Sequence, residues 1–280
     1  MCIRDRLYTD QLIQQMRAAC GETDADAQGL FCQLTDLMQI ATPNSQRVVR
    51  TTLLGASSWL VEQFETTDLD GKNVVLDATS SERYFYDGKQ HFRITRSMDN
   101  EKQWDVQRMS YVEAKLELPM LQAMVMAAVN DKQSLSTLGT VQLDGSDRCG
   151  RSNAFRFRFD DQDKDPLYLW AVMKPGDAQA AGELRKVSAS PDCLEGGVAA
   201  GVTFEQWQQI GSMSLPLSRK FIAGLDEEVE VELVNLSAEL LDGRAAGTRL
   251  LKVSDLVKAC LLYTSPSPRD ATLSRMPSSA

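Results

Sequence analysis

The side chains best equipped for chemistry are few. His91 is the chain's single histidine, and imidazole is the group whose charge changes near neutral pH, so it is the natural general base to test first. It lies in the return strand of a hairpin. The alternation that buries Phe92 and Ile94 puts it on the opposite face, with no oriented partner in sight. A surface or paired histidine is the expectation, not a catalytic one. Asp161, Asp163 and Asp165 form a D-x-D-x-D run that could offer carboxylates to calcium. Pro166 stands where an EF-hand loop needs glycine and no glutamate closes the run, so a solvated loop is expected. Glu62, Asp68 and Asp77 supply further carboxylates, but nothing in the sequence orients them. The motifs GxSxG, HExxH and GxxxxGK[ST] do not occur, which removes the usual support for nucleophile-elbow, zincin and P-loop enzymes. The sequence offers no catalytic residue, no metal site and no cofactor.

Four cysteines matter for the fold: Cys20, Cys32, Cys149 and Cys193. None forms a CxxC pair, so metal-knuckle and thioredoxin-type spacings are missing. Cys149 and Cys193 both sit in polar, glycine-containing stretches and could bridge in an oxidising compartment, although free thiols are the plainer reading. Met120, Met124 and Met126 cluster on one segment. Methionine adapts to irregular apolar ligands, yet such a group is more often plain core.

The ends read differently from the rest. Cys260 to Asp270, CLLYTSPSPRD, has no hydrophobic period, and its residues are those a transposase sequencing adapter encodes. Ser274 to Ala280 continue the same adapter after an index-length insert, and Met1 to Asp5 match its opposite-strand copy. The expectation is that residues 1–6 and 260–280 are translated adapter, excluded from fold reasoning, and that residues 7–259 are a domain from a truncated gene. The chain carries a formal charge of −9. Without those ends it is more acidic still, because they hold four arginines against two aspartates. Such a surface repels phosphate backbones and anionic headgroups, which disfavours nucleic-acid partners. No apolar stretch is long enough to span a bilayer as a helix.

Tyr8, Leu12, Met16 and Cys20 recur at helical spacing, and Leu30, Leu34, Leu37 and Met38 repeat the pattern, so two short opening helices are expected. From Arg47 onward alternation takes over. Arg83 to Arg96 is the clearest hairpin, with Tyr84, Phe85 and Tyr86 running into Asp87-Gly88 and Phe92 and Ile94 returning. In Ala154 to Asp160 three phenylalanines alternate with Arg156 and Arg158, the mark of a half-buried sheet face. One helix interrupts, with Pro119 in its first turn and Met120, Leu121, Met124, Val125 and Ala128 as its apolar stripe. The fold class expected is α+β: an open, curved antiparallel sheet of about eleven strands with helices packed on its concave face, since the apolar side of such a sheet needs a second layer.

This order of pieces resembles the bacterial lipoprotein-carrier family, the LolA-like proteins. The resemblance rests on YFYDGKQHFRI at residues 84–94, on the Leu138–Phe159 region with LGTVQLDG, a polar loop and AFRFRF, and on FEQWQQIGSMSLPLSRKFIA at 204–223. It spans about residues 8–236. It implies an extracytoplasmic half-barrel of the periplasm or cell envelope, whose concave apolar face shelters acyl chains, a lipoprotein or a hydrophobic partner segment without catalysis, with helices as a lid. Trp59, Phe85, Phe92, Trp104, Met120, Met124, Phe155, Phe157 and Trp207 are the lining residues it implies. A second reading is an interaction or sensor module of a larger envelope protein or protease.

Overall fold

The computed structural model describes residues 3–20, 31–40, 45–54, 58–70, 73–96, 103–130, 138–149, 151–160, 166–191, 193, 201–210, 213–223, 229–241 and 252–258. The Asp161, Asp163 and Asp165 run and residues 260–280 lie outside them, as do the side chains of Asp68 and Asp77. Helix α1 (Ile3–Ala19) opens the chain, and Ile3 to Arg6 simply continue it. Six strands follow: β1 (Phe31–Ile40), β2 (Ser45–Leu54), β3 (Trp59–Asp70), β4 (Asn73–Tyr86), β5 (His91–Arg96) and β6 (Trp104–Met109). Two helices, α2 (Tyr111–Leu116) and α3 (Leu118–Asn130), come next. Then come β7 (Thr140–Cys149), β8 (Ser152–Asp160), β9 (Leu167–Lys174), β10 (Asp177–Ser188), β11 (Gly201–Ile210), β12 (Met213–Ala223) and β13 (Val229–Leu241). Residues 252–258 form a last helix, α4.

All thirteen strands belong to one open antiparallel sheet, ordered β6-β5-β4-β3-β2-β1-β13-β12-β11-β10-β9-β8-β7. The chain starts in the middle of this sheet and meanders to one edge. It then crosses through α2 and α3 to the other edge and meanders back until β13 pairs with β1. The architecture is the open α+β half-barrel expected, with thirteen strands rather than about eleven.

The second opening helix is absent. Residues 31–40 are a strand at the sheet's centre, because Cys32, Leu34, Asp36 and Met38 are buried at period two. Leu34 and Met38, four apart, satisfy the helical and the strand period alike, and pairing on both sides with β2 and β13 decides the matter. A further difference concerns Asp144-Gly145, which is not a turn. Gly145, at φ 122°, sits in a bulge of β7, and the chain reverses only after Cys149.

Local chemistry explains the turns that do form. Asp87 accepts from the backbone N–H groups of Lys89 and Gln90, both at 2.8 Å, while Gly88 takes φ 92°, so the aspartate side chain caps the hairpin and glycine supplies the left-handed step. Pro175-Gly176 turns β9 into β10 with Gly176 at φ 84°, the proline fixing one central residue and the glycine freeing the other.

Cys149 and Cys193 are bonded, not free. The bridge closes over Trp170, Tyr168 and Ala154 on the face away from the main core. Cys20 and Cys32 remain buried thiols, and burial pushes Cys32 up to about 12. Replacing Cys149 and Cys193 by alanine should remove up to about 4 kcal/mol, the chain-entropy value for closing a loop of this length. Urea unfolding of the oxidised protein and the double variant measures it, and equal midpoints would mean that the bridge is not formed.

Candidate functional site

The concave face is made by the residues that alternate inward along every strand. They include Leu34 and Met38 of β1, Val49 and Leu53 of β2, Trp59 and Val61 of β3, Phe155, Phe157 and Phe159 of β8, and Phe204, Leu215 and Leu233 across the far half. Helix α3, LPMLQAMVMAAVN, lies against them with every residue from Met120 to Val129 buried. A helix buried on all sides belongs between layers, and α3 has the sheet beneath it and α1 beside its C-terminal end. Its placement is fixed by polar ties. Asn130 donates to the Ser214 carbonyl at 2.8 Å and accepts from the Ser214 N–H at 2.6 Å. Arg17 of α1 donates to the carbonyl of Val129 at 3.0 Å. At the other end Glu117, between α2 and α3, accepts from Tyr84 and Arg93. Helix α2 is held by a capping box, Ser110 with Glu113.

Under the middle of α3 the sheet carries a buried ion pair. Arg219 of β12 and Asp36 of β1 are both fully buried and bonded to each other. Arg219 also donates to Gln122 of α3 at 3.2 Å and touches the Met126 sulfur at 3.7 Å. Asp36 sits where the β1–β13 register slips between Thr35 and Asp36, and Asn235 bridges the slip by donating to Asp36 at 3.0 Å and to the Ser237 carbonyl at 3.0 Å. Nothing in the chain's motifs pointed to Asp36, Gln122 or Arg219. The available signal was a charged residue at an inward position of an otherwise apolar alternation.

The implied lining residues divide between two faces. Trp59, Met120, Met124, Phe155 and Phe157 fall in the concave cluster, and Trp207 packs at its margin. Phe85, Phe92 and Trp104 do not join them. Tyr84 and Tyr86 point inward, so Phe85 between them points out, with Phe92 directly across the ladder at 6.2 Å between ring centroids. These two form a second cluster with Leu60, Ile94 and Val253 and Val257 of α4. Trp104 packs against that cluster with its ring between the guanidinium groups of Arg83 and Arg96, at 4.6 and 4.5 Å. Glu62, weighed as a carboxylate for catalysis, is on this outer face in ion pairs with Arg83 and Arg50.

His91 does face away from Phe92 and Ile94, but that is the concave side, which the helices cover. It is therefore buried rather than a surface residue, stacked on Tyr86 at 4.5 Å and close to Trp59 and Tyr111. Burial lowers its pKa to about 4, with Asp87 opposing.

An open cleft of about 850 Å³ adjoins the concave core, between the C-terminal half of α1, the β9–β10 hairpin and Phe204 of β11. Ala18, Ala19, Ala181 and Leu184 give it apolar walls, and Lys174, Asp177, Glu183 and Arg185 charge its rim. The arrangement can hold apolar matter beside polar groups. Among the described residues no group of three His, Cys, Asp or Glu side chains could hold a metal ion, and no helix is long and apolar enough to cross a membrane.

Structural comparison finds a crystal structure of a LolA superfamily protein from Nitrosomonas europaea, at 11% identity and a TM-score of 0.48, covering 84% of this chain and 94% of that one. A DUF1329 family protein from Desulfovibrio piger matches at 9% identity and a TM-score of 0.50, over 84% of this chain and 92% of its own. At these identities the likeness is one of fold. No protein-family model matches the chain, and no curated protein matches its sequence.

Two outcomes test the energetics of the concave face. Arg219→Met alone strands the Asp36 carboxylate and should cost about 3 to 5 kcal/mol, whereas Asp36→Leu with Arg219→Met should recover most of that loss. Denaturant midpoints of the single and double variants check it, and equal losses would show that the pair is not coupled. For His91, the unfolded chain binds a proton near pH 6.5 and the folded one only near 4. Its contribution to stability is whole above pH 6.5 and is lost as pH falls toward 4. The stability difference between the protein and His91→Phe should therefore change over that window. A parallel pair of stability curves would refute burial of a neutral imidazole.

Proposed function

We propose that the protein binds acyl chains, or an acylated or otherwise hydrophobic partner segment, without catalysis, in the half-barrel of a bacterial cell-envelope protein. The observation that carries this reading is the buried, mostly apolar helix α3 laid over the concave face, with a cleft open beside it. Such a layer shelters apolar matter by burial, at about 0.8 kcal/mol per methylene removed from water. The sequence resemblance to lipoprotein carriers points the same way. The Cys149–Cys193 bridge favours an oxidising compartment, where disulfides persist. The acidic surface of the chain fits partners other than nucleic acids.

The buried side chains give catalysis little to work with. His91 is packed in an aromatic stack, and Glu62 is held in ion pairs with two arginines. The binding role is as compatible with a free carrier as with a module of a larger envelope protein.

Native mass spectrometry of the protein purified from a cell-envelope fraction tests the reading. Co-purified acyl-chain mass should be present and should be lost in Phe157→Asp or Met124→Asp, with near-UV circular dichroism showing that the fold persists. A clean apo mass, with no uptake of added fatty acid or acylated peptide, would sink it.

A further inference from the structure

The thirteen-stranded sheet has one weak seam. Among the described residues strands β10 and β11 pair only at Lys186↔Thr203, Val187↔Val202 and Ser188↔Gly201. At that end they are pressed together, since a Cβ on Gly201 would stand 2.6 Å from the Val187 carbonyl oxygen. Beyond Thr203 they separate. Gln206 adopts φ 56°, a left-handed conformation costly for a side chain with a Cβ, as β11 turns away. Strand β10 slips register against β9 three times between Asp177 and Lys186.

Side chains stand in for the missing strand. The Leu184 N–H donates to Cys20 Sγ at 3.3 Å, and its carbonyl accepts from Trp207 Nε1 at 2.9 Å. Gln15 of α1 accepts from the Ala181 N–H at 2.9 Å. The cleft of about 850 Å³ lies beside this seam, between α1 and the β9–β10 hairpin, with Phe204 its one lining residue from β11.

We infer that the cleft between α1 and the β9–β10 hairpin, beside this seam, seats a ligand with a single acyl chain and a zwitterionic head group, which deepens the acyl-binding reading above and rests on it. The size favours one chain. A packed heavy-atom group takes about the volume of a water molecule, roughly 30 Å³, so the cleft holds on the order of 28 such groups. That is one sixteen-carbon chain with most of its head, and not two chains. The rim favours balanced charge. Lys174 and Arg185 face it together with Asp177 and Glu183, and Arg185 is also paired with Glu205 at 2.7 Å. A purely anionic head would meet two carboxylates. A zwitterion can satisfy both signs. The chain would lie against Ala18, Ala181, Leu184 and Phe204, reaching the concave core from the side while α3 stays in place.

The probe is sixteen-carbon lysophosphatidylcholine below its micellar concentration, compared with palmitate and with dipalmitoylphosphatidylcholine by calorimetry and native mass spectrometry. One lysolipid should bind per chain, more tightly than either comparison lipid. Ala18 is exposed on α1 beside the cleft, so Ala18→Trp fills the space without entering the core, and it should weaken binding about ten-fold or more, a change of 1.4 kcal/mol or above. A diazirine-bearing lysolipid should crosslink to residues 15–19 and 180–185. Full affinity in Ala18→Trp, or crosslinks confined to Met124 and Phe157, would overturn this seat and leave acyl binding standing. Palmitate binding as tightly as lysolipid would overturn the zwitterionic head. Failure of every acylated probe to bind would remove the acyl-binding reading itself.

Discussion

An antiparallel sheet that does not close on itself keeps one whole apolar face in need of cover, and thirteen strands make that face too broad for a single amphipathic helix. The chain meets this constraint where it has to travel anyway. Between the two edge strands it must pass from β6 to β7, and α3 makes the crossing over the concave side. A connection so largely apolar is costly in water and stable here, because the sheet and α1 cover it. Most of the other features follow from that passage. Tyr84 and Arg93 hold its start through Glu117, Ser214 holds its end through Asn130, and Arg219 reaches up to Gln122 at its middle.

The Asp36–Arg219 pair beneath α3 is harder to justify as a source of stability, since two charges withdrawn from water recover their hydration only with good geometry and further hydrogen bonds. What it contributes is position. Its members come from β1 and β12, which flank β13, and the contacts to Gln122 and Asn235 tie helix, bulge and three strands to one point. An apolar replacement could pack as densely and would let α3 slide along a featureless surface.

Alternation and turn chemistry made much of this fold legible in the sequence. The hairpin around Asp87-Gly88 and the phenylalanine face of β8 are local patterns, and local patterns survive into the structure. Residues 31–40 misled because Leu34 and Met38 satisfy two periods at once, and only the partners on either side, distant in sequence, settle the choice. The face that each implied lining residue takes was not legible from its type. Phe85 and Phe92 are as apolar as Phe155 and Phe157, yet they look outward, and α4, far along the chain, is what buries them. His91 shows the converse. Its parity was readable, but which side of the sheet the helices would take was not.

The meeting of β1 and β13 carries a kinetic consequence. Asn235 bonds to Thr35 across 200 positions of sequence, whereas every other ladder in the sheet joins strands that follow one another along the chain. Closing so long a loop costs entropy before any contact repays it. The two meanders, β1 to β6 and β7 to β13, meet along this one ladder. Until they do, Asp36 has no Arg219 to meet and α3 has only half a floor, so the costliest loop closure in the sheet lies at its centre.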